Sequence, residues 1–210
     1  MLLDIHTHSA DIAIPGESIV CVEPSRFLPV EGVNYSVGIH PWKVLEVVPT
    51  DWDYLEKALR HPAVCAVGEA GLDKLAEAEM AVQKESFIRQ ILLSEAVGKP
   101  LIIHCVKAFN ELIELKKKYR PRMPWVVHGF RNNFNISRRL AEEGIYFSLG
   151  EKYQTEVLRQ VPLERLLAET DVSTLGIREI IRRMAAERGV DATCLCKQID
   201  ENARRIFFRQ

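Results

Sequence analysis

Short apolar runs alternate with amphipathic segments along most of this 210-residue chain. The runs lie at 2–6, 18–22, 35–39, 64–68, 101–104, 125–128, 145–149 and 166–170. Continuous apolar stretches this short, bounded by polar or turn residues, predict buried strands of a parallel sheet. Between them, apolar residues recur at helical spacing. Helices are predicted over 51–60 (Trp52, Leu55, Leu59), 79–97 (Phe87, Ile88, Ile91, Leu92) and 107–119 (Phe109, Leu112, Ile113, Leu115). Further helices are predicted over 134–143, over 174–188 (Ile177, Ile180, Ile181, Met184) and from 191 onward (Leu195, Ile199, Ala203, Ile206). Thr50 or Asp51 is placed to cap the first helix, and Gly98, Gly144 and Gly189 to end three others. The run Lys116-Lys117-Lys118 reads as a solvated helix end.

Strands alternating with helices call for a parallel sheet with right-handed crossovers, and eight strands for an α/β fold of the (β/α)8 TIM-barrel type. The whole chain, 1–210, reads as one domain. The first third departs from the pattern. Residues 9–17 and 23–34 contain Pro15, Gly16, Pro24, Pro29 and Gly32 with little helical periodicity, so two crossover helices are expected to be missing there.

The polar residues that close the apolar runs carry the chemistry. His6 and His8, His40, Glu69, His104, His128 and Asp171 each stand at the end of one. In a (β/α) barrel the C-terminal strand tips converge on one end, where active sites sit. His6 and His8, two apart on a strand, emerge on the same face. Imidazoles and carboxylates together suit Zn²⁺, Mn²⁺ or Fe²⁺, and Mg²⁺ where carboxylates and water dominate. Six of these, His6, His8, Glu69, His104, His128 and Asp171, exceed the needs of one tetrahedral ion and fit a pair of divalent ions sharing a carboxylate. The remaining histidine, His61 in Arg-His-Pro, is expected to meet the last carbonyls of a helix.

Composition narrows the partners. The net charge of −1 leaves no global footprint for nucleic acid, so a polyanionic substrate must be drawn by metal ions and a few local cations. No apolar stretch approaches bilayer length, and the start of the chain has no signal-peptide pattern. The five cysteines are odd in number, and several lie in strand-like runs. Reduced thiols in a cytoplasmic protein are expected, with no membrane association. Cys194-x-Cys196 lies in a helix, where positions two apart face different ways, and is given no function.

Seven segments then form an ordered set: Asp4-x-His6-x-His8, Gly38-Ile-His40-Pro41, Gly68-Glu69-Ala-Gly71-Leu72-Asp73, Lys99-Pro-Leu-Ile-Ile-His104, His128-Gly-Phe130, Glu169-Thr-Asp171 and Glu201-Asn202-Ala-Arg204-Arg-Ile-Phe207. The order and content resemble TatD-type metal-dependent hydrolases from residue 2 to about 208. The resemblance implies a TIM barrel of the amidohydrolase-like group and hydrolysis of phosphodiesters, typically DNA, by a metal-activated water. It implies that His6, His8 and Asp171 hold one ion, that His104 and His128 hold the second, and that Glu69 bridges both. Asp171 and Glu69 are the expected catalytic carboxylates, with Asp171 orienting the water and taking its proton. His40 is expected to touch substrate, and Lys107 and Phe130 are further candidates for it. Phe130 would stack on a base or, alternatively, pack beneath the loop. Asp4 and Asp73 are expected behind the ligands, fixing histidine tautomers and a loop. A plain turn role for Asp73 competes.

Two departures bear on the substrate. TatD-like enzymes usually carry His-x-Arg after the fifth strand, and here His104-Cys105-Val106 puts valine at the arginine position. After Asp171 the family usually continues Ser-Pro and a long loop, whereas Val172-Ser173-Thr174 is expected to lead straight into a helix. A small amide, lactone or phosphoester is therefore an alternative substrate, and a barrel binding a partner without turnover is a further alternative.

Overall fold

A computed structural model describes residues 1–9 and 13–208. Eight parallel strands follow one another in chain order around a single sheet: β1 (Asp4–Thr7), β2 (Ser18–Val22), β3 (Asn34–Val37), β4 (Val64–Asp73), β5 (Leu101–Val106), β6 (Trp125–Val127), β7 (Tyr146–Leu149) and β8 (Leu166–Ala168). Main-chain contacts at the tips close the ring. Thr7 bridges Asp171, the His8 amide donates to the Asp171 carbonyl at 3.1 Å, and the Asp171 amide donates to the His6 carbonyl at 2.9 Å. The fold is the expected (β/α)8 TIM barrel.

Helices α1 (Pro49–Leu59), α2 (Met80–Val97), α3 (Phe109–Tyr119), α4 (Phe134–Glu142) and α5 (Thr155–Gln160) connect successive strands from β3 onward, and α6 (Ile177–Arg188) and α7 (Ala192–Phe207) follow β8. Among the described residues, β1 and β2 are joined without a helix, and β2 and β3 by a single 3-10 turn at Pro24–Arg26. The irregular stretch at 9–17 falls partly outside the described residues. A large apolar cluster including Leu3, Val20, Val37, Ile103, Val127 and Phe147 joins the strands to surrounding helices. A second cluster brings Leu2, Ile19, Ile102, Val126 and Leu167 together with Ala203, Ile206 and Phe207 of α7. Full burial of each large apolar side chain contributes roughly 1.5–3 kcal/mol. No helix among the described residues is long and apolar enough to cross a membrane.

Several local expectations are corrected. The first helix starts at Pro49, and Asp51 caps it from inside the first turn by accepting the Val48 amide at 2.9 Å. Its final carbonyls, Leu59 and that of His61, accept from Lys99 Nζ. The His61 ring instead accepts the Ala63 amide and packs edge-on against Phe27. Helix α6 begins three residues later than the predicted 174, because the chain bends at Thr174 and Leu175 before the helix starts at Ile177. Helix α5 is too short to show periodicity and was not predicted. Lys116 is not solvated like its neighbours: its ammonium lies 4.8 Å from the centre of the fully buried Trp125 ring.

Strand β4 runs to Asp73, five residues past the predicted end, and is buried throughout. Its two glycines explain why it looked short. A Cβ on Gly68 (φ +148°) would lie 2.5 Å from the Ile102 carbonyl oxygen, and one on Gly38 2.7 Å from the Gly68 Cα. β3, β4 and β5 therefore approach more closely than side chains permit, which breaks the apolar run and carries Glu69 inward.

Candidate functional site

Glu69, near the middle of β4, is the hub of the strand-tip residues. Its two oxygens face different groups. Oε2 lies 3.2 Å from His8 Nε2 and 3.5 Å from His6 Nε2. Oε1 lies 2.7 Å from His128 Nε2, 2.9 Å from His104 Nδ1 and 3.1 Å from His40 Nε2. Asp171 Oδ1 completes the first group at 3.9 Å from His6 and 3.8 Å from His8. Five imidazoles thus converge on one carboxylate from the tips of four strands, β1, β3, β5 and β6, or the loops just beyond them, including His40, which caps the 3-10 turn Pro41–Lys43 through the Trp42 amide.

Electrostatics follow from this crowding. Burial opposes charge on Glu69, yet His128 and the hydrogen bonds from His104, His128 and His40 hold its carboxyl well below the usual range. Burial likewise opposes charge on His128, but Glu69 and Glu169 hold its imidazolium well above the usual histidine value. Burial, then the neighbouring imidazoles, keeps His6 neutral, the form in which histidine ligates metals. His8 is raised, chiefly by its hydrogen bond to Glu69.

The residues fit divalent cations. His6 is fully buried, and neither ring nitrogen has a hydrogen-bond partner. Buried polar atoms are ordinarily satisfied, so an orphaned imidazole facing two carboxylates is what an ion would complete. Nitrogen and oxygen donors on both sides of Glu69 match zinc- or manganese-type chemistry.

Behind this shell stand three further carboxylates. Asp73 Oδ2 lies 3.0 Å from His104 Nε2 and accepts the Trp42 indole N–H at 2.7 Å, while Oδ1 accepts the Leu75 amide. It ends a strand, not a free turn. Asp4 touches no imidazole, contrary to expectation. Its carboxylate accepts the Thr170 amide at 2.9 Å and the Thr170 hydroxyl at 2.7 Å, which ties down the segment bearing Asp171. Burial raises the Asp4 carboxyl to about 7. Glu169, given no role in the sequence, accepts the Gly129 amide at 2.6 Å and faces His128 Nδ1 at 3.4 Å.

A cleft of about 650 Å³ opens above the hub, lined by His8, His40, Trp42, His104, His128 and Asp171 among others. Two expected substrate contacts do not line it. Phe130 is 2% exposed and packs edge-on between Phe109 and Phe147, so it belongs to the core. Lys107 lies in the bend after β5 at φ +54°, exposed and not among the lining residues. Sequence reasoning missed Trp42, which is 64% exposed at the cleft mouth with its ring edge-on to His40 and His104. The available signal was a tryptophan in a polar turn directly after His40-Pro41. Arg131 Nη2 lies 3.7 Å from Asp171 Oδ2, and Asn133 caps α4.

Residues 29–208 match the family described as TatD-related DNase. The chain belongs to that family. TatD relatives include deoxyribonuclease Tat-D of Schizosaccharomyces pombe, 35% identical over 68% of this chain and 52% of that protein. The 3′-5′ ssDNA/RNA exonuclease TatD of Edwardsiella piscicida is 31% identical over 81% of this chain and 68% of its own. The metal-dependent hydrolase YabD of Bacillus subtilis is 26% identical over 82% and 76%. Among solved structures, the TatD homologue YjjV of Escherichia coli superposes with a TM-score of 0.82 at 20% identity, covering 93% of this chain and 87% of that one. A TatD-family hydrolase of Entamoeba histolytica gives 0.81 at 16%, covering 100% and 98%. These structural likenesses establish the TatD barrel, and the sequence relationship makes the chain a TatD-type metal-dependent hydrolase.

Proposed function

We propose that this chain hydrolyses phosphodiesters at the end of single-stranded nucleic acid, using two divalent ions. The observation that carries the reading is the division of Glu69: one oxygen faces His6 and His8, the other His104 and His128. On this reading His6, His8 and Asp171 hold one ion, His104 and His128 the other, and Glu69 bridges. Bound divalent ions supply Lewis-acid activation of water and neutralise charge growing on a phosphoryl group.

The chain's own residues supply the rest. Asp171 Oδ1, at the open side of the first group, orients the attacking water and takes its proton. His40 Nε2 lies at the border of hub and cleft, where it contacts a phosphate oxygen or the departing one. Asp73 holds the His104 ring from behind and Glu169 the His128 ring. Trp42 offers an exposed ring to a base beside the scissile phosphate, a contact tolerant of sequence. Arg131 supplies a cation beside Asp171, and the valine at position 106 supplies none at the tip of β5. The names of the nuclease relatives support nucleic acid over an amide or lactone.

The test is digestion of single-stranded DNA and RNA labelled at either end, with added Mn²⁺, beside metal analysis of the purified chain. Stepwise loss from one end, two ions per chain, and one ion in His128→Ala are expected. A chain that binds no divalent ion, or binds two and turns over only amides or lactones, overturns the reading.

A further inference from the structure

Cys21 sits at the tip of β2, and β2 pairs in parallel with the strand that carries His6 and His8, with Val20 opposite Thr7. This register lifts the Cys21 side chain beside the first half of the hub. Its sulfur, one ring nitrogen each of His6 and His8, and one Glu69 oxygen all lie within 4.8 Å of one another. Ideal tetrahedral zinc, with bonds of roughly 2.3 Å to sulfur and 2.0–2.1 Å to nitrogen, separates its ligand atoms by roughly 3.3–3.7 Å. The cluster is thus slightly wider than a filled site.

An independent observation points to a ligand at this place. His6 is wholly buried, and its Nε2, aimed into the same cluster, has no hydrogen-bond partner. Cys65, the buried cysteine of β4, donates to the Tyr35 carbonyl. Cys21 is half-buried, lines the cleft and neighbours the Ser36 hydroxyl and the Glu69 backbone.

We propose that Cys21 is a ligand to the ion held by His6, His8 and Glu69. This rests on the reading that those three residues hold an ion. In binding, the Sγ–H bond gives way to an Sγ–metal bond and the proton passes to water. The consequence is selectivity. A thiolate added to two imidazoles and the carboxylates of Glu69 and Asp171 favours zinc, cobalt or cadmium over magnesium and manganese. Among the described residues no cysteine joins the group of His40, Glu69 and His104 in the second half of the hub, so the two ions differ in preference.

The experiment is a Co²⁺ titration of the metal-free full-length chain, followed by absorption. A near-ultraviolet thiolate-to-cobalt charge-transfer band should saturate with the first equivalent. In Cys21→Ser that band should vanish while the visible cobalt bands persist, and zinc affinity should drop at least about tenfold with Mn²⁺ affinity unchanged. Visible bands without charge transfer in the wild type overturn the thiolate ligand and leave the histidine site standing. No cobalt bands at all overturn both. The wild-type spectrum decides the matter even if the serine variant fails to fold.

Discussion

Glu169 stands directly behind His128, with Oε1 3.4 Å from the imidazole Nδ1 and 2.6 Å from the donating Gly129 amide. The carboxylate thereby fixes both the ring and the peptide that follows it. Its other oxygen is buried without a partner. Glu169→Gln keeps the shape and an acceptor for Gly129 but removes the charge that favours a proton on Nδ1. Affinity for the second ion is expected to fall about 10- to 100-fold. Equilibrium dialysis against Zn²⁺ checks this, and unchanged affinity would remove Glu169 from the metal centre.

Asp171 has two separate duties, one for its backbone and one for its side chain. The main chain closes the barrel through His6 and His8 at φ +54°, in the left-handed region that asparagine tolerates at least as well as aspartate. Asp171→Asn should therefore fold normally. Turnover is expected to fall about 10²- to 10⁴-fold through loss of the proton acceptor. Single-turnover digestion and a thermal melt, run together, separate a chemical defect from an unfolded chain.

Trp42 combines an exposed ring with a buried indole N–H on Asp73. Substitution by phenylalanine and by alanine tells the two apart. Trp42→Ala should weaken single-stranded DNA binding by about 1–3 kcal/mol, roughly 5- to 150-fold. Trp42→Phe retains a ring for stacking and should recover most of that binding, while its lost hydrogen bond frees Asp73. Fluorescence anisotropy with a labelled oligonucleotide provides the reading. Equal losses in both variants would contradict stacking.

Phe130 predicts the opposite pattern. Removing a ring packed against Phe109 and Phe147 should lower unfolding stability by about 3–5 kcal/mol in Phe130→Ala. Its KM for oligonucleotides should match the wild type at a temperature where both are folded. A raised KM with unaltered denaturant midpoint would return Phe130 to the cleft.

Lys116 gives a pH-dependent prediction. Burial lowers its ammonium from 10.5 to about 8 despite the nearby Glu95 and Glu143. Between pH 8 and 10.5 the unfolded chain binds the proton that the folded chain releases, so this group's contribution to stability rises across that window. Below pH 8 the cost of the buried charge is fully present. Lys116→Met should accordingly be more stable than wild type at pH 7, with the difference shrinking towards pH 10. Urea midpoints at the two pH values measure it, and a constant difference would exclude the mechanism.

The barrel and most of the imidazoles and carboxylates at its strand tips were legible in the amino-acid order, because both are written in local periodicity. An apolar run that stops at His104, His128 or Asp171 declares a buried strand and the residue at its tip without reference to anything distant. The same locality hid the rest. β4 passed for a short strand because its glycines and acids interrupt the apolar signal, although packing against β3 and β5 buries them all. Trp42 meets Asp73 across 31 positions of sequence, and Glu169 meets His128 across 41. Cys21 reaches His6 and His8 through the register of two adjoining strands. Lys107 and Phe130 lie within three positions of His104 and His128 in sequence, yet Lys107 stands in a left-handed bend outside the cleft lining and Phe130 in an aromatic cluster. Sequence spacing settles which face of its own element a residue occupies. Which residues meet across the barrel depends on strand register and the close approach of backbones, and those arise only when distant segments pack together.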